Sequence, residues 1–360
     1  MSNAYYNMKV VDITQETADA ITLHLDHPDK QNIPYIPGQF LTLILPVNGQ
    51  KVRRSYSLCS TPEEPYFSVT VKRVEGGLVS NFLAENAQIG QTIEVMAPLG
   101  NFVLKPEAGQ KRHIFLFGGG SGITPLMSML KSTLKFEPQS RVTLIYGNRN
   151  VDSVIFKDQL AQFEQQHPNQ LKVVHVFNEA LVDATEKQDH IGLLDRNMVL
   201  RLLEDLTVPG YQQESYYMCG PEGMMNEVRE ALQFKSVPAS QVYKESFTAP
   251  TSSEEHGADV TAAPESDEII TRTVTLRYEG QEYQVEVKPT ETILEAGLKA
   301  DIDLPYSCQA GLCTACMGKC LSGRVHLTER EGLSDAEIAQ GYVLNCVGHP
   351  LSADVVIEIG

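Results

Sequence analysis

No stretch of the chain reaches the roughly 18 consecutive apolar residues that a membrane-spanning helix needs. The longest apolar region, His113–Leu130, is interrupted by Gly118, Gly119, Gly120, Gly122 and Pro125. Met1–Val10 lacks a basic start leading into an apolar core, so no secretory leader is predicted. Positive charge is scarce too: 29 Lys and Arg face 46 Asp and Glu, a net charge of −17 at pH 7. A field of that sign repels phosphate backbones and acidic lipid surfaces, which excludes nucleic acid and membrane as default partners. Together these absences predict a cytoplasmic protein with no membrane insertion. The hydrophobic content, 42% of 360 residues, is ordinary for a folded chain. At roughly 100–200 residues per domain, two or three domains are expected.

Cysteine is where the chain is rich. Seven occur, at 59, 219, 308, 313, 316, 320 and 346, and five of them lie from residue 308 onward. In a reducing compartment, clustered cysteines bind metal or do chemistry more often than they form disulfides. Cys308-x4-Cys313-x2-Cys316 with a distant Cys346 has the spacing of plant-type [2Fe–2S] ligands. Small residues such as Ala310 and Gly311 would let main-chain N–H groups approach the sulfurs. A zinc site is the weaker reading, because structural zinc usually takes two paired motifs and Cys346 stands alone. Cys313-x2-Cys316-x3-Cys320 also resembles the tail of a four-iron run, but Cys308 is spaced by four and Leu321 replaces the expected Pro. Cys320 is therefore read as a spare thiol.

Patterning divides the chain into four parts. Residues 1–108 carry short strand-like runs (Phe40–Leu45, Ser55–Cys59, Phe67–Lys72, Thr92–Val95) separated by turn residues, as in an antiparallel β-barrel or sandwich. Residues 109–248 alternate strand and helix: His113–Phe117, Pro125–Leu134, Val142–Tyr146, Lys157–Gln166, Leu171–Val176, Arg196–Leu203, Ser215–Met218, Gly223–Ala231. That is an α/β domain with a parallel sheet. Residues 249–268 form an acidic stretch with no Lys or Arg, read as a flexible linker, the alternative being an ordered surface loop. Residues 269–360 open with a hairpin around Glu279-Gly280-Gln281, continue with a helix at Thr292–Ala300 and close with a strand at Asp354–Ile359, an α+β arrangement of the β-grasp kind.

In the second part the segment His113–Pro125 reads HIFLFGGGSGITP. Glycines after a buried strand permit close approach of a pyrophosphate, whose charge a helix N-terminus favours. Thr124 and Pro125 are read as N-cap and first helical residue. The pattern is G-x-G-x-x-P rather than the usual dinucleotide fingerprint, so a plain tight turn remains the alternative. The next strand ends at Tyr146-Gly147-Asn148-Arg149, with no acid there for a ribose hydroxyl. Arg149 suits a 2′-phosphate, which leans toward NADPH over NADH, or it is a solvated surface residue.

Arg54-Ser55-Tyr56-Ser57 combines a phosphate partner, a ring neighbour and a hydroxyl donor; Gly76-Gly77-Leu78-Val79-Ser80 offers a second anion cradle opening a helix. In order, RSYS, GGLVS, GGGSGITP, Tyr217-Met218-Cys219-Gly220-Pro221-Glu222-Gly223-Met224 and Glu245-Ser246-Phe247 occur along the chain. This set resembles the ferredoxin–NADP reductase superfamily, and with a C-terminal ferredoxin it is similar to the reductase components of multicomponent oxygenases. The resemblance covers nearly all of the chain outside the acidic stretch. It implies that Arg54, Ser55, Tyr56 and Ser57 hold a flavin, with Ser57 near N5, and that Val71, Lys72, Gly77, Val79 and Ser80 contact its ribityl and pyrophosphate part. It also implies that Gly118, Gly119, Gly120, Gly122, Thr124, Arg149, Gly220 and Pro221 serve the nicotinamide nucleotide. Cys219 would approach the nicotinamide–flavin contact, Glu245 would lie beside it, and Phe247 would cover the flavin. Ser57, Cys219 and Glu245 are thus the catalytic candidates, and Cys308, Cys313, Cys316 and Cys346 the cluster ligands. FAD is expected because Pro98–Phe102 continues the FAD-type pattern; FMN, used by some relatives with this domain order, is second choice. The implied activity is an NAD(P)H-dependent reductase passing single electrons to an oxygenase. Another redox client, such as a hybrid-cluster protein or a desaturase, and a non-catalytic metal-binding adaptor are the alternatives.

Overall fold

The computed structural model describes residues 5–29, 33–179, 190–211, 213–247 and 268–359. The acidic linker expected at 249–268 lies, but for its last residue, outside them. Two compact units emerge, one of residues 6–52 and 56–247 and one that contains residues 268–359. Among the described residues no helix is long and apolar enough to cross a membrane.

The first unit begins with β1 (Tyr5–Thr17), β2 (Ala20–Asp26), β3 (Phe40–Val47), β4 (Gln50–Ser57), β5 (Phe67–Lys72), α1 (Leu78–Asn86) and β6 (Thr92–Leu99). The six strands form one barrel-like sheet in the order β4-β3-β6-β1-β2-β5. Its β1/β2, β2/β5 and β3/β6 pairs are antiparallel. Leu23, Leu25, Leu41, Leu43, Leu45, Val69 and Val71, at alternate positions, bury their side chains in one core, and Thr22, Thr42, Ile44 and Thr70 between them are buried as well, Thr22 and Thr70 joined by a hydroxyl pair at 2.8 Å.

There follow β7 (Arg112–Gly119), α2 (Ile123–Phe136), β8 (Arg141–Asn148), α3 (Lys157–Gln166), β9 (Leu171–Phe177), β10 (His190–Ile191), α4 (Arg196–Leu206), β11 (Gln213–Cys219), α5 (Glu222–Phe234) and β12 (Val242–Glu245). Their strands make a parallel sheet ordered β10-β9-β8-β7-β11-β12. Both faces are covered. Ile114 and Leu116 pack with α2 and α3 residues, whereas Phe115 and Phe117 pack with residues of α4 and α5. The order reverses beside β7, and in such sheets the crevice at the carboxyl ends of the strands is where ligands bind. Ala20, Cys59, Phe102 and Leu104 of the barrel share a core with this sheet, and the Ser128 hydroxyl donates to the Ser60 carbonyl.

One buried ion pair fixes the start of β7. Arg112 grips Glu137 through Nη2–Oε1 at 2.6 Å and Nε–Oε2 at 3.0 Å. Glu137, fully buried, also accepts from the Ser140 hydroxyl and the Glu107 amide. Removing one member of such a pair strands the other charge. Glu137→Ala is therefore expected to lower the unfolding free energy of this unit by roughly 3–5 kcal/mol, read from its denaturation transition.

The second unit contains β13 (Arg272–Tyr278), β14 (Gln281–Val287), α6 (Ile293–Lys299), β15 (Met317–Ser322), β16 (Val325–Leu327), α7 (Asp335–Ala339), β17 (Tyr342–Leu344), β18 (Gly348–Pro350) and β19 (Val356–Ile359). A five-stranded mixed sheet, β14-β13-β19-β15-β17, packs against α6, with a small β16/β18 pair beside it. Thr292 caps α6 in a reciprocal box with Glu295. The expected hairpin forms with Glu279 and Gly280, both at positive φ, at its turn.

Candidate functional site

At the carboxyl end of the parallel sheet, β7 and β11 deliver their turns side by side: Cys219 is level with Gly118, and on its other side with Glu245 of β12. The two turns touch so closely that a Cβ on Gly122 would collide with the Cys219 carbonyl and the Gly220 amide. That glycine is dictated by packing of chain on chain. Gly120 is different. It has φ +52°, and a Cβ there would meet only Lys72 Nζ, at 3.8 Å. Open space and a neighbouring ammonium make Gly120 the position suited to a phosphate.

The helix after this turn begins two residues earlier than expected. Gly122 is the N-cap of α2, so Thr124 and Pro125 are the second and third helical residues. A single turn of tight helix at Gly120–Gly122 leads directly into it. The Thr124 hydroxyl donates to the Ser121 carbonyl instead, at 3.1 Å, and is buried.

From the barrel side, β4 brings Ser57 to the same place. Its hydroxyl points at Glu245 Oε2 over a long 3.4 Å contact. Burial pushes the Glu245 carboxyl up to about 8, with the Ser57 hydroxyl partly offsetting it. The Cys219 thiol is fully buried and held well above its usual range, chiefly by burial and then by Glu245. Ser57, Cys219 and Glu245 are thus a cluster of three neutral groups near pH 7, where hydride could pass without meeting a fixed negative charge.

The remaining candidates divide by what their side chains do. Val71 and Val79 are core side chains, so only their main-chain groups are available to a ligand. Gly77 caps α1, and the Ser80 hydroxyl accepts from the Val74 amide at 3.2 Å, closing the loop before that helix. Lys72 pairs with Asp19 at 3.7 Å while reaching toward Gly120. Tyr56 is half-buried; Arg54 and Arg149 are exposed, the latter just past the end of β8. Gly119 and Gly220 stand back to back, and Pro221 caps α5. Phe247 is 42% exposed, an uncovered aromatic face beside this cluster in sequence.

In the second unit the cysteine loop folds on itself. Cys313 Sγ lies 3.3 Å from Cys308 Sγ, and the Ala310 amide donates to the Cys308 sulfur at 3.4 Å. Cys346 engages the thiols of both Cys308 and Cys316, which brings the loop and the turn after β17 together. Hydrogen bonds from Cys313 and then Cys346 pull the Cys308 thiol down to about 2, while the same crowding drives the Cys313 and Cys346 thiols up. Four sulfurs brought together in this way are a donor set that would suit iron ions. Gln309 and Gly311 take positive φ, turning the loop so that main-chain N–H groups face inward. Among the described residues no three His, Cys, Asp or Glu side chains converge on a single ion; a two-iron cluster takes two ligands per iron instead. Cys320 stands apart on β15, its thiol donating to the carbonyls of Ser322 and Gly323. Asn345, next to Cys346, belongs to no motif of the sequence; its side chain donates to the Cys316 carbonyl at 2.9 Å.

This architecture defines a flavin- and nicotinamide-dependent iron–sulfur reductase, and comparison with known proteins agrees part by part. Residues 7–104 match the oxidoreductase FAD-binding domain, 116–230 the oxidoreductase NAD-binding domain and 276–351 the 2Fe-2S iron-sulfur cluster binding domain. The chain is 33% identical to one of the subunits of the 1,2-phenylacetyl-CoA epoxidase of Escherichia coli K12 over 357 residues, covering 98% of this chain and 97% of that one. It is 34% identical to the ferredoxin reductase component of the 3-ketosteroid-9-alpha-monooxygenase of Rhodococcus rhodochrous over 352 residues, 96% and 94% of the two chains. The solved phthalate dioxygenase reductase, described as a modular structure for electron transfer from pyridine nucleotides to [2Fe-2S], matches with a TM-score of 0.59 and 26% identity, covering 99% and 98%. The chain belongs to this family of three-domain reductases, the oxygenase reductase components. It is an NAD(P)H oxidoreductase whose cofactors are FAD, a nicotinamide nucleotide and a [2Fe–2S] cluster.

Proposed function

We propose that this reductase supplies single electrons to a cytoplasmic oxygenase, of the ring-epoxidising or hydroxylating di-iron type, whose substrate is chosen by that partner and not by this chain. Its parts are proposed as residues 1–108 for FAD, 109–248 for the nucleotide, 249–268 as a flexible linker and 269–360 for the cluster. When bound, the flavin accepts electrons as a pair and releases them singly, which is what a one-electron cluster requires. The residues here do the positioning. Arg54 and Lys72 offer cations to the flavin phosphates, and Ser55 and Tyr56 border the flavin from β4. The amides of Val71, Gly77, Val79 and Ser80 line the cradle before and within α1. Gly118–Gly122 with Thr124, and Gly220 with Pro221, form the two turns that bracket the nucleotide. Phe247 supplies an apolar cover that excludes water and yields to the nicotinamide. Ser57, Cys219 and Glu245 hold protons at the transfer point. Cys308, Cys313, Cys316 and Cys346 bind the irons.

The observation that carries the reading is the meeting of Ser57 from the barrel with Cys219 and Glu245 from the parallel sheet. Steady-state reduction of cytochrome c with each nucleotide, alongside flavin extraction and iron assay, tests it; a colourless protein without turnover would reject it. Arg149 is proposed as the 2′-phosphate contact. Arg149→Ala is then expected to raise KM for NADPH about tenfold, the equivalent of ~1.4 kcal/mol, with KM for NADH unchanged. Equal effects on both nucleotides would remove Arg149 from that role.

A further inference from the structure

The fourth cysteine and the third are joined by more than iron. Asn345 directly precedes Cys346 and is almost wholly buried, 1% exposed. Two of its N–H groups converge on one oxygen, the Cys316 carbonyl: the main-chain amide at 3.2 Å and Nδ2 at 2.9 Å. Its own carbonyl accepts from Leu294 in the first turn of α6, at 2.9 Å. The residue thus ties the end of the cysteine loop, the turn after β17 and a helix at one point. The orientation of its amide is fixed by chemistry. A carbonyl oxygen can only accept, so the NH2 group must face Cys316, and Oδ1 is left without a partner among the described groups. A buried acceptor left unpaired costs free energy, and a residue with no Oδ1 would avoid it. Gly318 leaves the needed room, since a Cβ there would lie 3.1 Å from Nδ2.

We propose that Asn345 is a positioning residue for the cluster. Its side chain holds the peptide plane following Cys316, and so sets the direction of the Cys316 sulfur. The inference rests on the ligand set proposed above. The backbone bond from Asn345 persists in any variant, so a substitution reports the side-chain brace alone. Groups that orient metal ligands typically contribute about 10–100-fold in affinity. Asn345→Leu keeps the shape and deletes the donor, whereas Asn345→Ser retains a hydroxyl donor.

The test uses the full-length holoprotein and three readouts: the rate of iron loss to a ferrous chelator, the EPR g-values of the reduced cluster, and the thermal midpoint. Asn345→Leu is expected to release iron at least tenfold faster with shifted g-values, and Asn345→Ser to return toward wild type in both. Unchanged release and g-values in Asn345→Leu overturn the proposal. So does a lowered thermal midpoint with unchanged g-values, which would make the contact plain packing. Should Asn345→Leu not fold, Asn345→Ala against Asn345→Ser decides, and equal rates overturn the brace. A wild-type protein that itself holds no iron and shows no rhombic signal refutes the ligand set instead.

Discussion

Cys346→Ser is expected to yield a yellow protein that has lost the brown absorption of the cluster and half or more of its iron. Reduction of its flavin by nicotinamide nucleotide should proceed at the wild-type rate, because Cys346 belongs to the second unit and Ser57, Cys219 and Glu245 to the first. Transfer to cytochrome c should fall to the background of the flavin acting alone. Cys320→Ser is the matched control. Its thiol donates to the carbonyls of Ser322 and Gly323 at the end of β15, so colour, iron and turnover should all be retained. Loss of the cluster in Cys320→Ser with retention in Cys346→Ser would reverse the ligand assignment. Iron content, visible spectrum and acceptor reduction measured on both variants check it.

The second large effect belongs to Glu245. Its carboxyl is pushed up to about 8 by burial, so the folded protein holds that proton at neutral pH while an exposed glutamate would not. A raised folded-state value gives a stabilising term fully present below the usual carboxylate range and lost as pH rises through about 8. Function should follow the same direction. In the role proposed for Glu245, its ionised carboxylate would place a negative charge beside the hydride path, next to a Cys219 thiol that burial keeps neutral. The first-order rate of flavin reduction is expected to decline above pH 8. Glu245→Gln, a neutral isostere, should flatten that decline, whereas Glu245→Ala should slow reduction by roughly 10²-fold by removing the group that orients the Ser57 hydroxyl. Stopped-flow reduction between pH 6 and 10 measures both; a profile in Glu245→Gln that still falls through pH 8 assigns the titration elsewhere.

Much of the fold is legible from local chemistry. Phe67–Lys72, Lys157–Gln166 and Arg272–Tyr278 have the bounds that their patterns predict, since turn residues or a polar break stand at each end. The cysteine loop is equally plain because Cys308, Cys313 and Cys316 lie within nine residues of one another and only Cys346 comes from farther along the chain. What escapes depends on partners far along the chain. β1, thirteen residues of mixed polarity, shows little periodicity because β2 and β6 flank it on both edges and only Met8, Val10 and Thr17 are buried. β10, β16, β17 and β18, two or three residues each, are too short to register a period. The start of α2 is displaced from its expected position because a tight turn at Gly120–Gly122 precedes it and makes Gly122 the cap. Tight packing of two chain turns accounts for Gly119 and Gly122 whatever they bind, while Gly120 is open beside Lys72, and neither distinction can be read from the glycine pattern. Asn345 carries no motif at all; its meaning arises only when β17 pairs with β15 and sets it opposite Cys316.

At the centre of this account, paired electrons enter from a nicotinamide nucleotide and leave one at a time through iron. Anaerobic addition of one equivalent of nucleotide, followed by low-temperature EPR and absorbance on the same sample, measures that division. Bleaching of the flavin band accompanied by a rhombic iron signal of about one spin per chain is the predicted result. A bleached flavin with iron that stays silent, at any time and with either nucleotide, would contradict it.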